Sequence, residues 1–470
     1  MSKQPFPAPV KHLPKHVRSL AALALALAGA CAPRGARVPT VPVVVIRDTV
    51  VTNRPPATPR DTMVIGPSQP SRPAGPAANA TPVSVGLIID TSRVEITSAG
   101  DFTVHMEDGR EVGRARGGQT VEFRDEGSTI SVASRGGAPG SAMQRPSGMG
   151  AAGLRPPLLV RSVDGGTLTL RGQPYRGELR IQQAPGGGLT VVNRLDMETY
   201  LQGVVPREIG RFDLDIYEAI KAQAVAARTY AYTYLGRRAE QGFDVYATVE
   251  DQVYGGAGAE NETVNRAVRE TSGEILAYNG RPITAYYHST CAGQTAAIDE
   301  VWNNAPVPYL VSVRDVDAGG QAYDRSSSRF SWTVRWTHDQ LVGILNRTLA
   351  DSLRGRRISR IEDMRILERT PSDRVRAMRI QTDAGTFTVG KDRVRWILRP
   401  TAETTLNSSK FDIQLSRGGG RITEVVANGG GWGHGIGMCQ VGAMGRARAG
   451  QDYRTILRTY YPGTVIQALY

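Results

Sequence analysis

Cysteine is scarce. The 470 residues hold three, which excludes a disulfide-dense scaffold and a four-cysteine metal site. Aromatic residues make up only 6%, and no apolar run approaches the ~20 residues that a membrane-spanning helix needs. An acidic excess is also missing, since the formal net charge is +13. Residues 1–80 carry ten Lys or Arg against two Asp or Glu, which leaves +5 for the other 390. A folded basic patch of the kind that binds nucleic acid is therefore not expected. What is plentiful is glycine, at 53 residues, beside 28 prolines and 40% hydrophobic residues. Such a chain has many turns and one Pro-rich stretch, with length enough for two or three domains.

The first 30 residues read as an address. Lys3, Lys11, Lys15 and Arg18 precede Leu20–Ala30, eleven apolar or small residues, and Cys31 follows at once. A basic region, a short apolar core and small residues before a cut describe a secretory signal peptide over 1–30. Ala28-Gly29-Ala30 suits ordinary cleavage. Leu27 to Cys31 also resembles a bacterial lipobox, with Ala28 where that pattern prefers Leu. The expectation is lipidation of Cys31, contact with the membrane through acyl chains alone, and an extracytoplasmic place in a bacterial envelope. Residues 31–80 then form a Pro-rich tether. Ten prolines lie between 32 and 80, and at ~3.1 Å per residue such a segment extends to roughly 150 Å. Val41–Ile46 is its one apolar run, able to add to a sheet.

From Val83 the pattern turns to short alternating runs, VSVGLIID, RVEITSAG, FTVHMED and TVEFRDEG, then LLVRSVDGGTLTLRG, GELRIQQA and LTVVNRL. These predict a β-rich accessory unit over 81–190, with a disordered Gly/Pro/Ala insertion at 135–157. Nothing before Asp196 clusters catalytic groups. The next segment, to Leu235, predicts a short amphipathic stretch broken at Pro206, then a long helix with Asp215 and Glu218 as its capping box. Ile220, Ala224, Ala227, Ala231 and Tyr234 form one stripe along it. A helix over Glu262–Thr271 and a hairpin turning at Asn279-Gly280 follow. The fold class expected is α+β.

YLQGVVPREIG, EAIKAQAVAARTYA, YYHSTCAGQTA and GWGHGIGMCQVGAMGRARAG occur in this order. Together they resemble the SpoIID/LytB superfamily of stage II sporulation protein D-like lytic transglycosylases and LytB-type amidase enhancers. The resemblance covers about 190–470 and implies one domain over 191–470 with a substrate cleft. It implies binding to peptidoglycan glycan strands, and either their nonhydrolytic cleavage or stimulation of a separate cell-wall amidase.

Cleaving a glycosidic bond needs a carboxylic acid held protonated near neutral pH by partial burial. Glu208, the glutamate of GVVPRE, is the catalytic acid/base that the resemblance implies. It would be presented by the loop after Pro206. A lytic transglycosylase needs no second carboxylate, because the substrate's own 6-hydroxyl attacks C1. Arg228 is a candidate to hold Glu208 or a substrate carboxylate, whereas Lys221 reads as an ordinary wet-face charge. In GGGWGHGIG, six glycines surround Trp432 and His434. Trp432 can stack on a sugar, and His434, His288 or Gln440 can bond its hydroxyl or N-acetyl groups. No phosphate-loop ending follows, so no nucleotide cofactor is expected. His288, Cys291, His434 and Cys439 have the types for zinc, and some sporulation members bind a metal. In an oxidising envelope a Cys291–Cys439 disulfide is the reading placed ahead of free thiols and of zinc.

Overall fold

The computed structural model describes residues 43–45, 81–135, 153–401 and 404–470. The signal peptide, Cys31, most of the tether and most of the 135–157 insertion lie outside the described residues. Val43–Val45 is the exception within the tether. Its backbone pairs in parallel with Thr386–Thr388, so the one apolar run of that segment is a strand and not spacer.

The fold is α+β. Strands 82–91, 189–196, 178–183, 158–162, 102–106 and 111–115 lie side by side in one sheet, with Val245–Tyr246 added at the edge of 82–91. A second sheet holds 173–175, 168–170, 93–97, 120–125 and 130–135. Alternation puts Val94, Ile96, Phe123, Val160, Leu179 and Val191 into one buried cluster between them. Strand 189–196 runs straight into helix α1, Met197–Ile209, whose N-cap Asp196 accepts from Thr199 N. The accessory unit and the helical lobe therefore share a chain path with no linker between them.

Helix α2, Tyr217–Tyr234, is the axis of a second core. The predicted stripe Ile220, Ala224, Ala227, Ala231 and Tyr234 is buried, and so are Ala219, Ala222, Val225 and Ala226. Small side chains on every face let α1, helix α3 (Glu262–Glu270), and the helices at 440–448 and 453–460 close in on it. Gly203 on α1 shows how tightly, since a Cβ there would lie 2.5 Å from the Tyr254 ring. The hairpin turns at Asn279 and Gly280, both at positive φ, as a two-residue turn requires. The expected capping box does not form. Residues 214–216 make a 3₁₀ turn, α2 starts from Ile216 without a side-chain cap, and the two carboxylates turn elsewhere. Asp215 pairs with Arg448 at 2.7 Å, and Glu218 accepts from Tyr453 N at 2.9 Å.

A third core, Trp336 through Ala427, is an insertion within the second. It contains a helix at 338–348 closed by a Thr337/Gln340 capping box, an antiparallel sheet of 332–337, 421–429 and 411–418, and a sheet of 361–369, 375–382 and 385–390 to which Val43–Val45 adds in parallel. Its docking contacts reach the second lobe at several points. Ser372 N donates to Glu300, Lys391 Nζ to the Trp302 carbonyl at 2.9 Å, and Lys410 Nζ to the Ala292 carbonyl at 3.1 Å. Among the described residues no helix is long and apolar enough to cross a membrane.

Candidate active site

Glu208 sits in the last turn of α1. Pro206 does not break the helix, contrary to the sequence expectation, because Tyr200, Leu201, Val204 and Val205 bury the turns before it. Proline near a C-terminus gives up one N–H bond, and its own carbonyl still accepts from Gly210 N at 3.1 Å. The carboxylate is thus presented by a helix end and not by a loop. It is half-buried, and Oε1 accepts from Val253 N at 2.8 Å. Desolvation pushes its pKa up to about 7, against the lowering by the Val253 N–H and the Gln440 amide. The negative end of the α1 dipole acts in the same upward direction. No charged side chain contributes to the shift.

Beside it runs a chain of bonds whose polarity is fixed. Gln252 is fully buried, and its Nε2 donates to the Ala227 carbonyl at 3.2 Å and to the Tyr287 hydroxyl at 2.9 Å. Its Oε1 accepts from the Tyr200 hydroxyl at 2.9 Å. The Ala227 carbonyl can only accept, so the amide cannot be flipped. Tyr287 therefore spends a lone pair on Gln252 and keeps its own proton. No acceptor for that proton is present among the described residues. Burial, and after it the negative charge of Glu208, push the Tyr287 phenol well up, so it stays a donor.

The two glycine-rich motifs zip together against this group. Tyr287–His288 pairs in parallel with Met438–Cys439, Thr290 and Trp432 exchange backbone bonds, and Ala296 N donates to the Gly435 carbonyl at 2.7 Å. Gly437 is the tightest point, with positive φ and a would-be Cβ 2.0 Å from the Tyr286 carbonyl. The ladder delivers Gln440, whose Nε2 donates to Gln223 Oε1 on α2 at 3.3 Å. Trp432 remains 40% exposed, with the Arg329 guanidinium 3.8 Å from its ring centre. His434 packs against Trp302 at 5.2 Å and His288 at 5.6 Å between ring centres. Its Nδ1 accepts from Ile436 N, and burial pulls its pKa down to about 4. Near neutral pH it is an uncharged hydrogen-bonding ring.

Several expected roles change. Arg228 reaches neither Glu208 nor solvent. Its guanidinium is fully buried, bidentate on Glu198 at 2.8 and 2.6 Å, and bonded to the Glu274 and Val268 carbonyls. Every direction that a substrate carboxylate would need is taken. His288 is 4% exposed, with Nδ1 against the Ile436 carbonyl, so it faces inward and not toward a sugar. Cys291 and Cys439 meet as free thiols and not as a bridge. Cys291 Sγ points to Asp315, while Cys439 Sγ caps the 440–448 helix by accepting from Gly442 N. His288, Cys291 and Cys439 place their ligand atoms within 4.8 Å of one another. Lys221 pairs with Glu218 and Glu270 at 3.0 Å, as its wet-face reading expects. Gln223, Gln252 and Tyr287 were missed. The only signal for the glutamines was an uncharged polar residue inside an otherwise apolar stretch.

Residues 185–278 match the family described as stage II sporulation protein. Over 290 residues the chain is 31% identical to stage II sporulation protein D of Bacillus subtilis (strain 168), a match that covers 58% of this chain and 75% of that one. The chain belongs to the SpoIID/LytB superfamily. This superfamily member is also 33% identical over 297 residues to the amidase enhancer of Bacillus subtilis (strain 168). That match takes in 57% of this chain but spans only 40% of the enhancer's length. An uncharacterized protein of Brachyspira hyodysenteriae (strain ATCC 49526 / WA1) is 35% identical over 310 residues, with 66% of this chain and 76% of that protein covered. Residues 319–437, which include the third core, match a domain of unknown function (DUF8618).

Proposed function

We propose that this SpoIID/LytB member works on the bacterial cell wall, outside the cytoplasm, and that it cuts peptidoglycan glycan strands without water. The observation that carries this reading is a half-buried carboxyl with a pKa of about 7, beside a hydroxyl whose proton is free. In the reaction, Glu208 protonates the glycosidic oxygen as the C1–O bond breaks. The resulting carboxylate then takes the proton of the muramic 6-hydroxyl as that oxygen closes on C1. One group serves as acid and then as base, which returns Glu208 protonated and leaves a 1,6-anhydro end. Hydrolysis would need a second carboxylate about 5–10 Å away as nucleophile or base, whereas this route uses Glu208 alone. Tyr287 donates its proton to an oxygen of the bound sugar. Trp432 supplies a stacking face, and His434 and Gln440 supply neutral hydrogen bonds. A lipid anchor at Cys31, joined to the folded part by the residues ahead of strand Val43–Val45, would hold the enzyme at a membrane surface.

The similarity to a protein named amidase enhancer favours a second reading, in which the same groove grips glycan and stimulates a separate amidase. Mass spectrometry of products from denuded and peptide-bearing glycan strands separates the two. Anhydro-muramic ends formed by the wild type and lost in Glu208→Gln are the expected result. Binding without cleavage on both substrates would move the protein to the enhancer class. Ordinary reducing ends would make it a hydrolase.

A further inference from the structure

We propose that the third core docks on a membrane surface, holding phosphate headgroups of anionic lipids at the end of its sheet that carries Arg360 and Arg421. Charge is the first observation. Residues 332–429 hold 18 Lys or Arg against 11 Asp or Glu, whereas the rest of 81–470 holds 29 against 31. The positive surplus of the folded chain belongs to this lobe alone.

Topology gathers that charge at one end. Val43 pairs with Thr386, at the start of strand 385–390. Gly385 faces Thr382, and Thr382 faces Ile361. These four positions share one end of the sheet, and the chain ahead of Val43 leaves from it. The loop that enters strand 361–369 carries Arg354, Arg356, Arg357 and Arg360, all exposed. Its backbone is fixed to the same end, because Asp383 accepts from Ser359 N at 3.1 Å and Arg360 N at 3.0 Å. Asn346 pins it again, donating to the Ile358 carbonyl and accepting from Ile358 N, both at 2.9 Å.

An open cleft of about 560 Å³ lies here, lined by Thr337, His338, Ser359, Arg360, Arg421 and Thr423 among others. The nearby acids are occupied. Asp383 serves the loop backbone, and Asp339 accepts from His338 Nδ1 at 2.9 Å. Arg354, Arg357 and Arg421 have no carboxylate partner among the described residues, and Arg356 spends one N–H on the Leu353 carbonyl. Arg360 is paired on the surface with Glu362 at 3.2 Å. Forked guanidinium donors around an open cleft match phosphate oxygens.

The chain path selects a lipid surface over a soluble polyanion, a step that rests on the anchor proposed above. Eleven residues separate Cys31 from Val43, and a segment of that length spans at most about 40 Å. An anchored chain keeps this end of the third core within that distance of the headgroups. There each Arg strengthens binding to an anionic surface about 5-fold. Acyl chains are then not the only membrane contact.

The test is co-sedimentation with lipid vesicles of the full chain, exported as Cys31→Ser so that no acyl chain contributes. Vesicles of phosphatidylglycerol and phosphatidylethanolamine should bind it, vesicles of phosphatidylcholine should not, and about 0.5 M NaCl should release it. Arg356→Gln, Arg357→Gln and Arg421→Gln together should weaken binding on the order of 100-fold, at an unchanged melting temperature. Taking the same charge from exposed positions of the accessory unit, with Arg110→Gln, Arg114→Gln and Arg171→Gln, should leave binding nearly intact. Equal losses in the two triple variants would overturn the proposal, because net charge alone would then be at work. So would indifference to phosphatidylglycerol, or release by a few millimolar inorganic phosphate, which would mark a small-anion site. Intact mass of the wild type reports acylation separately, so failure of the anchor and failure of the lipid surface are told apart.

Discussion

Replacing Glu208 by Gln should make the folded chain more stable, but only at neutral and alkaline pH. The ordinary carboxyl pKa of 4.5 applies to the unfolded chain, and burial raises the folded value to about 7. Below pH 4.5 both states hold the proton, and the group leaves stability untouched. Between 4.5 and 7 the unfolded chain releases its proton first, so stability falls as pH rises. Above 7 the full penalty is in place. At ~1.4 kcal/mol per pH unit, the gap amounts to roughly 3 kcal/mol. Glutamine keeps the oxygen that accepts from Val253 N and carries no charge, so it escapes the penalty. Urea unfolding of both proteins at pH 4 and pH 8 measures the effect. Near-equal stability at pH 4 and an advantage of about 3 kcal/mol for the variant at pH 8 are expected. The same substitution should lower glycan cleavage by about 10²–10⁴-fold. A pH-independent difference between the two proteins would refute the claim that Glu208 is held neutral by desolvation.

Tyr287→Phe should weaken glycan binding about 10-fold, measured by calorimetry in the non-cleaving Glu208→Gln background, and should cost roughly 1–3 kcal/mol in urea unfolding because the buried Gln252 Nε2 loses an acceptor. Unaltered affinity would mean that the free phenolic proton faces no substrate. Arg228→Met strands the Glu198 carboxylate and should cost about 3–5 kcal/mol in urea unfolding, while glycan affinity of the remaining folded protein stays as in the wild type. Gly437→Ala drives a Cβ into the Tyr286 carbonyl and should cost at least about 2 kcal/mol. Its thermal unfolding compared with that of Gly86→Ala, where the nearest atoms all belong to the Phe243 ring, tests whether the backbone contact is the stiffer one.

The parts of this protein that were legible in the sequence are those set by local periodicity. The α2 stripe predicted the buried face of the helix because small residues at helical spacing have few alternatives, and the Asn279-Gly280 turn required positive φ that those residues provide cheaply. Glu208 was legible only through its motif. Its loop assignment failed because proline was weighed by local propensity, while four buried neighbours decided the matter. Arg228 misled for a similar reason: a basic residue among alanines signals burial, but the partner, Glu198, lies 30 positions upstream and had no mark of its own. Gln252 and Tyr287 were invisible because their role depends on which way hydrogen bonds point, and that is a property of the assembled site. The third core hid in plain alternation, since its strands read like any others.

That third core enters and leaves through neighbouring backbone. Trp332 and Gly429 face each other across an antiparallel pair, so nearly a hundred residues begin and end about 5 Å apart. Topologically the insertion is a loop on a hairpin stem, and a two-residue turn closes the same stem. Its addition or removal requires no rerouting of the other strands and helices except Val43–Val45, which pairs with Thr386–Thr388 inside it. The lobe's contacts with Glu300, Trp302 and Ala292 grip the half that holds Glu208 from outside its chain path, so its sequence can drift, or be exchanged, under constraints separate from those on the residues around Glu208.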